Sequence, residues 1–397
     1  MTQTFIKFCM KAFFLSALLL LTQTASTPAD PVGQLQQKLT RGQAKLEFEK
    51  KHGYLESILK TLKVPVSSQT LVFSKTSLQI ERISPKTPRA IYFNDDVYVA
   101  WVQGTGFIEI MSVDPEKGSN FYVLSQERSD KPEFERSTGH ECSVCHFVQE
   151  AAPKFVPRLM FTSIIPDATG NADGAAPIET TDRSPMKERW GGWYVTGTSG
   201  NQVHAGNIVN SRPASVFNGL PANAARSSNI TDLSSRFDTS AYLSPHSDIV
   251  ALMVLAHQKE VQNVIALAHS KGNAAAKETG EPLVRAMLFA GAVPLTGPVK
   301  GTSTYTVDFA AMGPRDKAGR SLRDFDLKTR LFRYPLSYLV YSKPFDALPA
   351  GVKTYVYRRF KEVLSGQDKS AAFAHISSAD RTAILDILQA TKPDFPR

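Results

Sequence analysis

The small number of cysteines constrains the fold of this chain more than any other feature of its sequence. The 397 residues contain three cysteines, and the first of them, Cys9, lies in an apolar leader at the start of the chain. Once the leader is removed, only Cys142 and Cys145 remain. An exported chain of this length with two thiols does not use disulfides as a scaffold. Its fold must therefore rest on a large apolar core, which this length permits.

Residues 1–29 have the layout of a secretory signal peptide. Two lysines precede an apolar run over residues 12–21, and small and polar residues follow up to Ala29. The apolar run is shorter than the roughly 20 residues that a membrane span requires. Cleavage is expected near Ser26 or Ala29, with an uncleaved anchor as the alternative. No later stretch is long and apolar enough to span a membrane, so we expect a periplasmic mature chain without a span.

The two remaining thiols belong to a compact motif, Cys-x-x-Cys-His, formed by Cys142, Cys145 and His146. This is the signature for covalent attachment of haem. Residues three and four positions apart share one face of a helical turn, so both thiols can reach the two vinyl groups of one porphyrin. The histidine then points at the iron from the proximal side. The sequence predicts one covalent haem c, held by Cys142 and Cys145, with His146 as the proximal iron ligand.

Other uses of the motif fit this sequence less well. A structural zinc site requires a second Cys/His pair, and no further cysteine is present. A thioredoxin-type thiol pair follows a buried strand and opens a long helix. Here the motif follows the loop-like sequences Asp130-Lys131-Pro132 and Ser137-Thr138-Gly139, which favours the haem interpretation.

The motif resembles that of c-type cytochromes. The stretch from Phe161 to Asn207, with its Arg-Trp-Gly-Gly-Trp-Tyr segment at 189–194, is similar to large exported bacterial proteins described only as containing a cytochrome c domain. The resemblance extends through Tyr334-Pro335-Leu336 to the C-terminus. It implies haem c, attachment after export and a periplasmic location, and it implies no substrate.

The order of β-rich and helical patterns predicts an α+β fold that differs from a minimal cytochrome c fold. Short runs of β-branched and aromatic residues between residues 70 and 125 predict a β-meander of four or five strands. Helical spacing predicts helices at 34–63, 247–270, 281–291, 351–365 and 378–391. Capping sequences indicate the start of two of them, Ser247-Asp248 for the second and Ser377-Ser378-Ala379-Asp380 for the last. We therefore expect an N-terminal helix and β-rich region over 30–130. A mainly α-helical, loop-rich haem-binding region should follow over 131–397.

The sixth iron position has several candidate ligands. His257 is the first choice for a distal ligand, because it lies on the apolar stripe of a predicted helix. The alternative is a histidine whose hydrogen bonds are satisfied within the core. The further candidates are Met253, His204, Met160 and Met186.

Two other groups of residues are candidates for contacts with the porphyrin. The aromatic segment from Trp190 to Tyr194 contains two glycines and would suit a flat ring, although ordinary core packing fits it equally. Arg158, Arg183 and Arg189 are candidates for pairing with the haem propionates.

Electron transfer through the haem is the function that the sequence favours. The alternative is a haem enzyme or sensor with an open or displaceable sixth position, used for peroxide reduction or gas binding. The 46 basic and 37 acidic residues give a net charge of +9, which favours an acidic redox partner. Basic residues are scattered and form no dense stripe, so nucleic acid is not an expected partner.

Overall fold

The computed structural model describes residues 29–137, 146, 156–222 and 224–397 of the chain. Within these residues the α-helices, numbered in chain order, are α1 Pro31–Thr40, α2 Leu55–Thr61, α3 Ala224–Ser227, α4 Ile249–Lys271, α5 Ala276–Met287, α6 Tyr305–Ala311, α7 Lys343–Asp346, α8 Ala350–Leu364 and α9 Ser378–Thr391. The strands are β1 Thr70–Val72, β2 Arg89–Phe93, β3 Val97–Trp101, β4 Phe107–Asp114, β5 Gly118–Ser125, β6 Phe134–Arg136, β7 Thr162–Ser163, β8 Ile178–Glu179, β9 Trp193–Tyr194, β10 Gly197–Thr198 and β11 Lys300–Gly301.

The main sheet is an antiparallel meander with one added strand. Its order is β6-β5-β4-β3-β2-β1-β9, so strands β1 to β6 lie side by side in chain order. Strand β9 comes from much later in the chain and pairs with β1, where Leu71 is opposite Tyr194. The α+β class and the meander are confirmed, with six consecutive strands where four or five were predicted, and residues 193–194 extend the same sheet.

The two faces of the sheet are covered by different parts of the chain. Alternate residues such as Ala90, Tyr92 and Tyr122 belong to a core that includes α1 and α2. The opposite face contributes Phe93 and Tyr98 to the larger core around the C-terminal helices. This alternation follows from the two-residue period of a strand, which places successive side chains on opposite faces.

Helix α4 is the central helix of the larger core. Asp248, which is fully buried, begins it, and the Asp248 carboxylate accepts hydrogen bonds from the backbone N–H groups of Val250, Thr302 and Ser303 at 2.8 to 2.9 Å. This capping satisfies donors that the first helical turn leaves free. The predicted helix at 247–270 is thereby confirmed, and its start at Ser247-Asp248 is correct.

The single helix predicted over 34–63 is replaced by two shorter ones. Helix α1 ends at Thr40, and Gly42 follows with φ +68°, a backbone conformation that glycine adopts at no cost and that ends helices. Gly53, with φ +61°, lies just before α2. The helical spacing of leucines suggested one continuous helix, but residues 41–54 separate the two helices, and the positive φ angles of Gly42 and Gly53 lie at the two ends of this segment.

Candidate functional site around His146

His146 is the one residue of the haem motif that lies within the described part of the chain, and Cys142 and Cys145 lie outside it. The His146 ring packs on Phe121 of β5, with ring centroids 4.9 Å apart and planes inclined by 52°. The histidine of the motif therefore contacts the main sheet, which the sequence had not indicated.

The orientation of the His146 ring is fixed by a backbone carbonyl. Nδ1 of His146 lies 2.8 Å from the carbonyl oxygen of Arg158, and the N–H of Arg158 donates to the His146 carbonyl at 3.1 Å. A carbonyl oxygen can only accept, so the hydrogen is on Nδ1. Burial lowers the pKa of His146 below its usual value, which favours the neutral ring. In that ring Nε2 keeps its lone pair.

This tautomer is the one that a metal-ligating histidine uses. Such a histidine almost always donates its other ring N–H to a carbonyl or carboxylate, which fixes the ring and raises the basicity of the ligating nitrogen. No described residue forms a hydrogen bond with Nε2 of His146. Among the residues that the structure describes, nothing therefore competes with a metal ion for Nε2.

Two arginines, each paired with a glutamate, lie near His146. The guanidinium groups of Arg89 and Arg158 both lower the pKa of His146 by repulsion, while Glu109 acts in the opposite direction. Arg89 pairs with Glu109 at 3.4 Å and Arg158 pairs with Glu179 at 3.0 Å. The Nε atoms of both arginines are nevertheless buried and have no acceptor among the described residues. Two spare donors on half-buried cations would suit the carboxylates of haem propionates.

The sheet surface beside His146 is half-buried and mostly apolar, with one charged residue, Glu109, between Ala100 and Val123. Met111 is the direct cross-strand partner of Phe121, and Ile91, Ala100 and Val123 lie in the neighbouring row on the same face. The apolar side chains of this surface would suit the apolar face of a porphyrin, which gains from burial as any apolar surface does. Fit with a haem is thus supported by the apolar patch, by the unpaired arginine donors and by the His146 tautomer.

His257 does not have a free nitrogen to offer to iron. Its ring is fully buried and stacks on Phe289 with centroids 4.2 Å apart. Nδ1 lies 2.6 Å from the Asp182 carboxylate, and Nε2 lies 2.7 Å from the Ser337 hydroxyl. Both nitrogens are occupied, so the geometry contradicts His257 as the distal ligand and agrees with a histidine satisfied within the core.

The Asp182, His257 and Ser337 side chains have the hydrogen-bonding order of a hydrolase triad. Ser337 has no exposed surface, and its backbone N–H donates to the carbonyl of Met287 at 2.8 Å. A nucleophile must be reachable by substrate and requires free donors nearby for the oxyanion. The group is therefore part of the core packing around α4.

The remaining distal candidates lie in different places. Met253 is 3% exposed within the core of α4, and Met160 and Met186 are half-buried. Sequence analysis did not identify Met111 as a candidate. Met111 is on β4, directly opposite Phe121, and the ring of Phe121 contacts His146. The alternation of residues along β4 could have indicated it, because this alternation places Met111 on the same face as Glu109.

Of the arginines predicted to bind propionates, one lies near His146. Arg158 has that position, as described above. Arg189 is 4% exposed, and it donates to the carbonyls of Ser184 and Asp182, while Arg183 pairs with Glu260. Arg89 was missed, because it lies far from the motif in sequence and reaches the site through the sheet.

The aromatic segment 190–194 is part of the protein core. Trp190 is fully buried, and Trp193 meets Phe161 edge-on with centroids 4.5 Å apart. A Cβ on Gly191 would lie 2.9 Å from the backbone of Ile164, so only glycine allows this close approach. Of the two interpretations, the structure favours core packing.

His204 packs against the same segment as a buried neutral histidine. It is 1% exposed, its ring meets Trp190 with centroids 5.3 Å apart, and Nδ1 accepts from the N–H of Gly206 at 3.1 Å. Burial lowers the pKa of His204 to about 4. Its hydrogen is then on Nε2, so in this form neither ring nitrogen has a lone pair available for iron.

Acid should destabilise the fold through His204. An unfolded histidine takes up its proton near pH 6.5, whereas His204 in the folded chain does so near pH 4, so the unfolded state binds more protons in this interval. The free energy of unfolding should fall by about 3 kcal/mol as the pH is lowered through this range. Urea titrations of the native protein and of His204→Gln would measure this loss. Parallel pH profiles for the two proteins would contradict the assignment.

No family model, no curated protein and no solved structure matches this chain. Among residues 29–137, 146, 156–222 and 224–397, no cluster of three or more His, Cys, Asp or Glu side chains could hold a metal ion. In the same part of the chain, no helix has the length and apolar character to cross a membrane. The functional interpretation rests on the motif and on the surroundings of His146.

Proposed function

We propose that this chain is an exported c-type cytochrome that transfers electrons through one haem. In this proposal Cys142 and Cys145 bind the haem covalently and His146 is the proximal ligand. The observation that carries the proposal is the hydrogen bond from Nδ1 of His146 to the Arg158 carbonyl at 2.8 Å, while Nε2 has no hydrogen-bond partner among the described residues. The same bond would also satisfy a buried histidine without a metal, so the proposal depends on this bond together with the position of His146 in the Cys-x-x-Cys-His motif.

Other residues of the site have roles that follow from their chemistry. When bound, the haem supplies one-electron chemistry between Fe(II) and Fe(III). Arg89 and Arg158 would hold the propionates through their unpaired Nε donors. The patch formed by Met111, Phe121 and Val123 would exclude water from one face of the ring and so favour the less charged iron state.

Electron transfer is favoured over catalysis by the state of the two histidines considered for a distal role. A haem enzyme usually places an acid–base group beside an open iron position. His257 uses both ring nitrogens within the core, and His204 is buried against Trp190. Neither is available for proton transfer at the haem, which supports a carrier.

The proposal includes a location and a partner. The predicted leader and the covalent haem are consistent with a periplasmic protein, in which residues 131–397 form the mainly helical haem-binding region. The net charge of +9 would attract an acidic redox partner and speed the encounter at low salt. Lowering the salt concentration should accordingly raise the rate of electron exchange with such a partner.

The test is the state of the haem in the exported native chain. After denaturing electrophoresis, haem staining should coincide with the polypeptide, and its mass should exceed that of the bare chain by one haem. Absorption spectra of the oxidised and reduced protein should show a haem that cycles reversibly. Colour that separates from the polypeptide would contradict the proposal, and new bands with carbon monoxide would support an open sixth position and favour the enzyme or sensor.

A further inference from the structure

The hydrogen bond behind His146 is one link in a series that ends on helix α4. The side chain of Asn263 bridges the backbone of Leu159, with Nδ2 donating to the Leu159 carbonyl at 2.9 Å and Oδ1 accepting from the Leu159 N–H at 2.8 Å. The preceding residue, Arg158, provides the carbonyl that accepts from Nδ1 of His146. The series thus connects a central helix to the proposed iron ligand.

The two ends of this series share a single peptide group. The carbonyl of Arg158 and the N–H of Leu159 belong to the peptide bond between these residues, which is planar and rigid. In a trans peptide the two groups point in opposite directions, so Asn263 lies on one side and His146 on the other. The plane cannot rotate away from His146 without also losing its hydrogen bond to Asn263.

We infer that Asn263 is a positioning residue for the proximal ligand. It holds the 158–159 peptide plane so that the Arg158 carbonyl keeps its hydrogen bond to His146, and this bond sets the basicity of Nε2. The inference rests on the proposed function, because it concerns His146 as an iron ligand. Donation from Leu159 N–H to Asn263 also polarises the peptide group and makes the Arg158 carbonyl a better acceptor.

The expected effect has a definite sign. A strong hydrogen bond from Nδ1 gives the imidazole more negative character, which stabilises Fe(III) relative to Fe(II). Loss of the Asn263 bridge weakens this bond, so the midpoint potential of the haem should rise. Loss of an outer partner of a metal ligand typically costs tenfold or more in metal affinity or activity. A change of about tenfold in the Fe(III)/Fe(II) equilibrium corresponds to about 59 mV for one electron, and we expect a rise of this order.

A matched control exists in the same chain. Asn207 makes the same kind of bridge, with Oδ1 accepting from the Val195 N–H and Nδ2 donating to the Val195 carbonyl, both at 2.8 Å. Asn207 has φ +66°, which glycine adopts freely, so Asn207→Gly removes the bridge without adding backbone strain. This variant loses the same two-bond bridge and also a third hydrogen bond, from Nδ2 to the Ser227 carbonyl at 2.9 Å, so it is at least as disruptive as the Asn263 variant. None of these bonds connects to His146 in the hydrogen-bond series.

The experiment measures the midpoint potential and the exchange of the Leu159 amide in the haem-loaded full chain. Asn263→Ala should accelerate hydrogen exchange of the Leu159 amide. It should also raise the midpoint potential by about 59 mV, which is about tenfold in the Fe(III)/Fe(II) equilibrium. Asn263→Gln should shift both quantities in the same direction by less. Asn207→Gly should leave both at their native values.

Two results would overturn the inference. One is faster exchange at Leu159 in Asn263→Ala or Asn263→Gln with an unchanged potential. The other is an equal rise of the potential in Asn207→Gly, which would mean that general loosening is the cause. If the native chain carries no haem at all, it is the proposed function that fails, and the haem content of the native protein distinguishes this case.

Discussion

Changing both Cys142 and Cys145 to serine should abolish covalent attachment of haem. A thiol adds to a vinyl group of the porphyrin and forms a thioether, whereas the serine hydroxyl is far less nucleophilic and leaves the vinyl group intact. Haem staining after denaturing electrophoresis should fall from one haem per chain to background. Any haem that remains with the native variant would be held by His146 and the surrounding contacts alone, and denaturation should release it.

The matched control for this prediction is the third cysteine of the chain. Cys9→Ser makes the same atomic change within the predicted leader and should leave haem attachment at the native level. Each single variant, Cys142→Ser or Cys145→Ser, keeps one thioether position and should retain weaker staining. If the double variant still carries haem after denaturation, another residue forms the bond, and the motif has been misinterpreted.

Local patterns in the sequence were sufficient to predict much of the fold. Alternation between residues 70 and 125 predicted the meander, and Ser247-Asp248 and Ser377 predicted the starts of two helices, because these signals act over a few residues. The pairing of β9 with β1 was not predictable in this way. It joins Leu71 to Tyr194 across more than a hundred positions, and no local pattern specifies such a partner.

The candidate site could be predicted only in part, because local patterns do not specify contacts between residues far apart in sequence. The proximal role of His146 follows from a spacing of one turn, but its contacts with Phe121 and Arg158 depend on how the sheet and α4 pack. Asn263 has no sequence signal at all, since an asparagine on a helix usually faces solvent. The stripe that suggested His257 as a ligand was a correct indication of burial, and burial alone does not distinguish an iron ligand from a hydrogen-bonded core residue.

His257 should be important for stability and unimportant for the haem spectrum. In His257→Ala the buried hydroxyl of Ser337 and the carboxylate of Asp182 each lose a partner, and a cavity opens beside Phe289. Cavities and unpaired buried polar groups together cost about 3–5 kcal/mol in the free energy of unfolding. The absorption spectrum of the folded fraction should match that of the native protein, because neither nitrogen of His257 is free for iron.

The same substitution at His146 should give the reverse pattern. His146→Ala removes the proximal ligand and should change the spectrum fully, while the half-buried position of this residue limits the loss of stability. If His257→Ala does not fold, His257→Gln keeps a side-chain amide between Asp182 and Ser337 and should lose less stability with an unchanged spectrum. A changed spectrum in either His257 variant would restore His257 as the distal ligand. Its hydrogen bonds to Asp182 and Ser337 would then have to open when haem binds.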